Sequence, residues 1–139
     1  MAEELLTLEI ATPVGLALQT ECESVAAPSV AGEFGVFPGH LPLLAALRSG
    51  VIRYTVGGQV QLAAVGPGFV EAGPERVLLL TDTFTSPSEV DADEVRAELA
   101  DAEKRLDALE TAYTGHEYAE IIRDIEWAQA RLTLIARND

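Results

Sequence analysis

The chain has 139 residues, of which 48% are hydrophobic, and it carries a formal net charge of −14. This length suits one ordinary domain or a small domain with an appendage, and the apolar content excludes a disordered chain. The acidic balance argues against nucleic acid or an anionic membrane surface as a direct partner. No stretch approaches the ~18 apolar residues of a membrane span. A single cysteine, Cys22, fits a reducing compartment.

Short apolar runs broken by glycine and proline make up the chain as far as about residue 85. Gly57-Gly58 separates two of these runs and Gly73-Pro74-Glu75 separates two more, which is the pattern of β-hairpins. The runs lie at 5–10, 24–27, 51–56, 59–65, 69–72 and 76–81. Several short strands at this spacing predict an all-β sandwich or barrel.

The turn-rich segment at 32–42 is the most distinctive part of the chain. It holds three glycines and two prolines, with apolar residues between them. Glycine reaches backbone conformations closed to other residues and proline fixes φ, so we expect a rigid, irregular ridge. Two polar side chains, Glu33 and His40, are placed to be presented by this ridge.

Helix-forming residues take over after Ser86-Pro87-Ser88. Steps of three and four separate the apolar or small residues Val95, Leu99, Ala102, Leu106, Leu109 and Tyr113, and again Tyr118, Ile121, Ile125, Ala128, Leu132 and Ile135. Because 114–116 breaks this pattern, we predict an α-helical antiparallel hairpin with helices at about 91–113 and 117–136. The domains are then a β-sandwich at 1–86 and the hairpin at 87–139. Outside the seam, Ile122, Trp127 and Leu134 form an outer apolar strip that we expect to dock on the sandwich or on a partner.

No catalytic, metal or cofactor site is predicted. Glu33 and His40 could be drawn as an acid-base pair, but no serine or cysteine nucleophile is identifiably placed beside them. The glycines at 32–39 lack the lysine of a phosphate-binding loop. His116-Glu117 resembles the opening of a zinc-protease helix, but Glu120 stands where the second histidine belongs.

The run Glu33-Phe34-Gly35-Val36-Phe37-Pro38-Gly39-His40, then Pro42-Leu43-Leu44, and later Gly68-Phe69-Val70-Glu71, is similar to the epsilon subunit of F-type ATP synthases. The resemblance covers nearly the whole chain. It implies a non-catalytic subunit in which an N-terminal β-sandwich precedes a C-terminal helical hairpin.

The resemblance also implies partners. In this family the subunit lies on the rotating central stalk and joins the gamma subunit to the c-ring, so that proton flow drives ATP synthesis. Glu33 and His40 match the positions that the family places against the c-ring. Membrane association is then peripheral and only through the complex, at the cytoplasmic face of the bacterial inner membrane or, in a chloroplast, the stromal face of the thylakoid. The acidic start at 1–4 is unlike a targeting signal, so we expect the chain to stay in the compartment where it is made.

The family's hairpin either folds down on the sandwich or extends along gamma and brakes ATP hydrolysis. From Glu89 to Asp139 fourteen acidic residues stand against six basic ones, a net charge of −8. Since the extended form of the family lies beside an acidic segment of the beta subunit, we expect a weak brake, or contacts with alpha and beta subunits through Arg123, Arg131 and Arg137.

In some members the folded-down form binds ATP through an Ile/Leu-Asp-x-x-Arg-Ala motif and further arginines. Here that pattern fails: an alignment that starts at Val90-Asp91 puts Glu94 and Val95 where Arg-Ala belongs, and an alignment on Asp93-Glu94-Val95-Arg96-Ala97 puts Ala92 in the leading aliphatic position. The second helix has only Arg123, Arg131 and Arg137, with Glu120 and Trp127 where further arginines are expected. We expect no bound cofactor. The alternative function is a nucleotide-sensing module whose hairpin closes on ATP.

Overall fold

A computed structural model describes residues 4–109 and 115–137 of the chain. In this part of the chain ten strands come first, and a 3-10 turn at Pro87–Glu89 leads to two helices, α1 (Ala92–Asp107) and α2 (His116–Arg137). The strands are β1 (Leu6–Thr12), β2 (Gly15–Cys22), β3 (Ser24–Ser29), β4 (Gly32–Val36), β5 (Leu43–Leu47), β6 (Gly50–Val56), β7 (Gln59–Val65), β8 (Gly68–Ala72), β9 (Arg76–Thr81) and β10 (Phe84–Thr85). The predicted all-β sandwich followed by a helical hairpin is confirmed.

All described strands belong to one hydrogen-bonded sheet that packs against itself as a sandwich. The strand order is β10-β7-β6-β3-β5-β8-β9-β1-β2, and β4 pairs with β3 outside this path. Neighbouring strands are antiparallel, with the exception of β1 and β9, which run in the same direction. The sandwich therefore has two outer faces, one over β6 and β7 and the other over β5, β8, β9, β1 and β2.

Alternating side chains build the core between the sheet layers. Along β1, Leu6, Leu8 and Ile10 are fully buried, while Thr7 and Glu9 between them are only half-buried. This period of two is what a strand with one face on a core requires. The other strands contribute Cys22, Val25, Ala27, Val36, Leu47, Ile52, Ala63, Val65, Val70, Ala72, Val77 and Leu79 to the same cluster.

Both predicted hairpins are confirmed. Gly57 and Gly58 connect β6 to β7 with φ of 56° and 78°, and a two-residue turn of this kind needs positive φ at both positions. At the second hairpin the Gly73 N–H donates to the carbonyl of Arg76 at 2.9 Å, which closes the connection between β8 and β9.

The prediction of an irregular ridge over 32–42 is wrong for its first part. Residues 32–36 form the regular strand β4, in which Phe34 and Val36 face the core, and only 37–42 is an irregular loop. A strand can contain glycine where neighbouring residues supply the packing, so the glycine content of this segment was not sufficient to predict an irregular backbone. Strand β2 was missed as well, because most of its side chains are exposed and its apolar alternation is weak.

The hairpin helices begin and end at definable residues. Asp91 precedes α1, and its carboxylate accepts the N–H groups of Asp93 at 3.0 Å and Glu94 at 3.2 Å, a standard N-terminal cap. The helix ends at Asp107, and the predicted seam residue Tyr113 lies outside the described residues, as does Thr114, the first residue of the predicted break. No helix in the described part of the chain is long and apolar enough to cross a membrane.

The two helices pack on each other through the predicted seam. Val95 and Ala102 of α1 and Ile121 and Ala128 of α2 are buried. On another side of α2, Ala130 and Leu134 are also buried, and these residues contact β6 and β7 rather than α1. The hairpin thus lies folded down on one outer face of the sandwich.

Candidate docking surfaces

Glu33 lies on β4 and is held by an ion pair. Arg53 of β6 donates from Nη2 to Glu33 Oε1 at 2.6 Å, and both side chains remain partly exposed. Strand β3 lies between the two strands, and the pair crosses it on the outer side of the sheet. Glu33 is therefore not an isolated carboxylate but one half of a fixed pair.

His40 lies in the loop that joins β4 to β5. The loop is tied to the β8–β9 hairpin because the Gly39 N–H donates to the carbonyl of Pro74 at 2.8 Å, and the His40 N–H donates to that of Phe37 at 3.1 Å. Gly39 has a φ of 87°, which side-chain-bearing residues rarely adopt. Nδ1 of His40 is 2.6 Å from the carbonyl of Leu41, so this nitrogen carries the proton and donates.

Glu33 and His40 do not form an acid-base pair. Each is bonded to another residue, and no hydrogen bond or ion pair joins them within the described residues. Around His40 the loop exposes two large apolar side chains, Phe37 at 65% and Leu41 at 79%. An ordered loop with exposed apolar side chains is suited to contacting a protein and not to acid-base chemistry.

A row of apolar residues crosses the outer face of five strands, and sequence reasoning missed it. We call this outer face the bare face. Cross-strand pairing connects its five members directly, each to the next: Ala46 (β5), Phe69 (β8), Leu80 (β9), Ala11 (β1) and Leu16 (β2). The three large members are exposed by 58%, 50% and 56% for Phe69, Leu80 and Leu16, respectively. Exposed apolar surface that is continuous in this way marks a protein interface.

The row beside it on the bare face is mixed. Its residues in strand order are Leu44, Glu71, Leu78, Glu9 and Gln19. Arg76 reaches this row through an ion pair with Glu9 at 2.8 Å. An apolar centre with a polar border is the usual anatomy of a protein–protein interface. The one sequence signal was the uninterrupted run of leucines at 78–80, because a strand with one solvated face alternates instead.

The opposite outer face is occupied by α2. Leu134 is fully buried and Ala130 is 5% exposed where they pack on Val51 of β6 and Ala64 of β7. Of the predicted outer strip, Leu134 and Trp127 belong to this contact, and Ile122 is half-buried. Arg48 and Glu126, 4.0 Å apart, add an exposed ion pair between sandwich and hairpin.

The three arginines predicted for inhibitory contacts have different surroundings. Arg131 is 14% exposed, donates to Glu98 of α1 and lies over the Trp127 ring at 5.1 Å. Arg137 borders the groove between α2 and the sandwich, which Glu33 also lines. Arg123 is exposed and has no ion pair with any described residue. Only Arg123 and Arg137 are thus available to a partner while the helices are together.

The cleft between the helices is predominantly acidic. Its two arginines are already paired, Arg131 with Glu98 and Arg105 with Asp124 at 2.9 Å. Hydrogen bonding to Asp124 is the main reason that the pKa of Arg105 is raised, so its positive charge is secure. The carboxylates that line the cleft and its continuation toward the sandwich are Glu89, Asp91, Glu94, Glu98, Asp101 and Asp124. Phosphate groups entering this cleft would meet a surplus of negative charge.

Comparison with known proteins identifies relatives over most of the chain. Residues 5–87 match the family model described as ATP synthase, Delta/Epsilon chain, beta-sandwich domain. The chain is 40% identical over 132 residues to the ATP synthase epsilon chain of Anaeromyxobacter dehalogenans, covering 95% of this chain and 98% of that one. It is 43% identical over 100 residues to that of Desulfitobacterium hafniense, covering 72% and 76%.

Solved structures share the fold at low identity. A chain in the mitochondrial ATP synthase of Euglena gracilis superposes with a TM-score of 0.80 at 18% identity, covering 97% of this chain and 82% of that one. A chain in the central stalk and c-ring structure of the Tetrahymena thermophila mitochondrial ATP synthase gives 0.58 at 10% identity, covering 99% and 98%. The arrangement of sandwich and helices therefore recurs in chains of very different sequence.

Proposed function

Since the chain belongs to the epsilon-chain family of the ATP synthases, we propose that it is a non-catalytic rotor subunit that couples proton flow through the c-ring to ATP synthesis. Its partners are the gamma subunit and the c-ring, and it is peripheral to the membrane on the side of the catalytic head. In a bacterium this is the cytoplasmic face of the inner membrane.

The bare face is the observation that carries this proposal. A rotor subunit must bind the central shaft tightly enough to turn with it. The fold exposes a continuous apolar row on five paired strands, which is suited to such a contact. Its members lie on regular β-structure, so the surface is rigid before binding and little ordering entropy is lost on association. We assign the bare face to the gamma subunit.

The loop at 37–42 and the Glu33–Arg53 pair are assigned to the c-ring. The loop is tied to the β8–β9 hairpin through Gly39, and the carboxylate is held across β3. Both features keep polar groups in fixed positions, which a contact that transmits torque needs. Neither Glu33 nor His40 acts as a catalytic residue.

Introduction of a charge on the bare face tests the attachment to gamma. Leu80→Glu places a carboxylate in the centre of the apolar row, and burial of that charge should weaken binding to gamma by about 100-fold. Val60→Glu is the matched control, because Val60 is 60% exposed on the opposite outer face. Binding to purified gamma subunit is measured by titration, and equal loss in both variants, or loss in neither, would refute the assignment.

The hairpin is proposed as a weak regulator of ATP hydrolysis. In the folded-down state its only free arginines among the described residues are Arg123 and Arg137, and its net charge of −8 opposes docking beside acidic surfaces. Removal of residues 89–139 should raise hydrolysis by the assembled synthase by no more than about twofold, because a brake opposed by charge holds poorly. Activation by a much larger factor would show strong braking.

A further inference from the structure

The ion pair between Glu33 and Arg53 spans three strands of the sandwich. In the register, Arg53 of β6 lies opposite Ala26 of β3, and Ala26 lies opposite Gly35 of β4. Glu33 is two residues from Gly35 along β4, so the Arg53 side chain crosses β3 diagonally to reach it. The residues opposite each other at 26 and 35 are small, an alanine and a glycine, so they leave room for the Arg53 side chain on this face.

The geometry of the pair is not that of a stabilising bond. The side chains of Glu33 and Arg53 are 47% and 40% exposed, and ion pairs of this exposure contribute little to folding. Only Oε1 of Glu33 is used, whereas a fork-like arginine pair would engage both oxygens. The Nε atom of Arg53 is buried and has no acceptor, which is a cost to the folded state.

The same geometry leaves Glu33 ready for a partner. Its carboxylate is fixed through Oε1, while Oε2 accepts no hydrogen bond from any described residue. A glutamate without Arg53 would sample several rotamers and would lose this freedom on binding. Holding the carboxylate in advance lowers that entropic cost, which is the general benefit of preorganisation.

We propose that Arg53 is a positioning residue for the c-ring contact: it fixes the Glu33 carboxylate so that Oε2 can accept a hydrogen bond from the c-ring. The inference rests on the proposed function, since it assumes that Glu33 contacts the c-ring. It goes beyond that function because it gives Arg53 a role in the contact, in addition to Glu33 and His40. It also predicts that the carboxylate must be at position 33 and the arginine at position 53, so that an ion pair with the two residues exchanged would not replace the original.

The experiment compares single variants with a charge swap in the complete synthase in inverted membrane vesicles. The readout is ATP-driven proton pumping per ATP hydrolysed, and the melting temperature of each isolated chain is measured alongside. Arg53→Gln and Glu33→Gln should each lower the pumping ratio by at least about twofold, because one charge-assisted hydrogen bond at the contact is lost or misplaced. The double variant should be no worse than either single variant, since the two residues act as one unit.

The swap Glu33→Arg with Arg53→Glu separates positioning from structural support. It restores an ion pair across β3 but turns the acceptor that faces the c-ring into a donor. We expect the melting temperature to stay close to that of the wild-type chain, since an exposed ion pair contributes little to folding, and the pumping ratio to stay lowered. The control is Lys104→Gln, which removes one positive charge from an exposed position on α1 and should leave the ratio unchanged.

The outcomes distinguish the inference from the function on which it rests. Recovery of the pumping ratio by the swap would make the pair merely structural and overturn the inference. So would an unchanged ratio in Arg53→Gln beside a lowered ratio in Glu33→Gln. An unchanged ratio in Glu33→Gln would instead overturn the c-ring contact of Glu33, and the role of Arg53 with it.

Discussion

Leu134→Ala should release the hairpin from the sandwich without unfolding the sandwich. Leu134 is fully buried, and it packs in a small cluster with Val51, Ala64 and Ala130 that is separate from the core of the sandwich. The other members of this cluster are short side chains, so Leu134 supplies the largest single share of the buried volume. Its truncation therefore acts mainly on docking.

The magnitude follows from the burial of Leu134. Large-to-alanine substitution of a fully buried leucine costs about 2–5 kcal/mol, and a contact between two units that can separate lies toward the middle of this range. A loss of about 3 kcal/mol multiplies the ratio of undocked to docked hairpin by about 100-fold. The free energy of unfolding of the sandwich should change much less, because none of its core contacts is removed.

Trp127 provides the assay. It is the chain's only tryptophan and packs against the same cluster, so its fluorescence reports docking without a label. We expect a red shift of the emission in Leu134→Ala at a temperature where the sandwich remains folded by circular dichroism. Leu80→Ala is the control, because it removes the same atoms from the exposed bare face. An unshifted emission in Leu134→Ala, or an equal shift in Leu80→Ala, would refute the reasoning.

Three further predictions concern buried groups, the hairpin and the loop. Burial raises the pKa of the Cys22 thiol and that of the Tyr54 hydroxyl, so the free energy of unfolding should be constant up to about pH 8.5 and should fall as the pH rises through the raised values. Urea unfolding across alkaline pH measures this fall, and Cys22→Ala should make it smaller. Arg131→Ala should speed amide exchange in the helices several-fold more than Arg105→Ala, since Arg131 is mostly buried against a tryptophan ring and Arg105 is exposed; equal effects would contradict this. Gly39→Ala should lower stability by about 1–2 kcal/mol in thermal unfolding, because alanine strains at a φ of 87°.

Local patterns were sufficient to predict the hairpins and the helical seam. Two consecutive glycines between apolar runs are typical of a two-residue hairpin turn, which needs positive φ at both positions. The apolar seam of the helices repeats over many helical turns. Strands β2, β4, β5 and β10 were not predicted. β2 and β4 pair with their chain neighbours β1 and β3, but most side chains of β2 are exposed and β4 contains two glycines, so neither shows a clear apolar alternation. The position of β5 depends instead on pairing with a strand far away in the chain, as in the register of Leu43 with Ala72, and periodicity over five residues carries little of that information.

The candidate surfaces were predictable to different degrees. Glu33 and His40 were singled out because their segment is unusual in composition, but their bonding partners were not. Arg53 is separated from Glu33 by 20 residues, and its role depends on the strand order. The bare face depends in turn on five strands meeting side by side, and no single segment contains more than one large exposed member of its apolar row.

The placement of the two outer faces has a consequence for regulation. The hairpin docks over β6 and β7, whereas the bare face belongs to β5, β8, β9, β1 and β2. Undocking of the hairpin removes contacts from Val51 and Ala64 and leaves the bare face unchanged. If the bare face holds gamma, the hairpin can change position while the subunit remains attached to the rotor. Glu33 differs from the bare face in this respect, since it lines the groove beside α2, and movement of the hairpin would alter its surroundings directly.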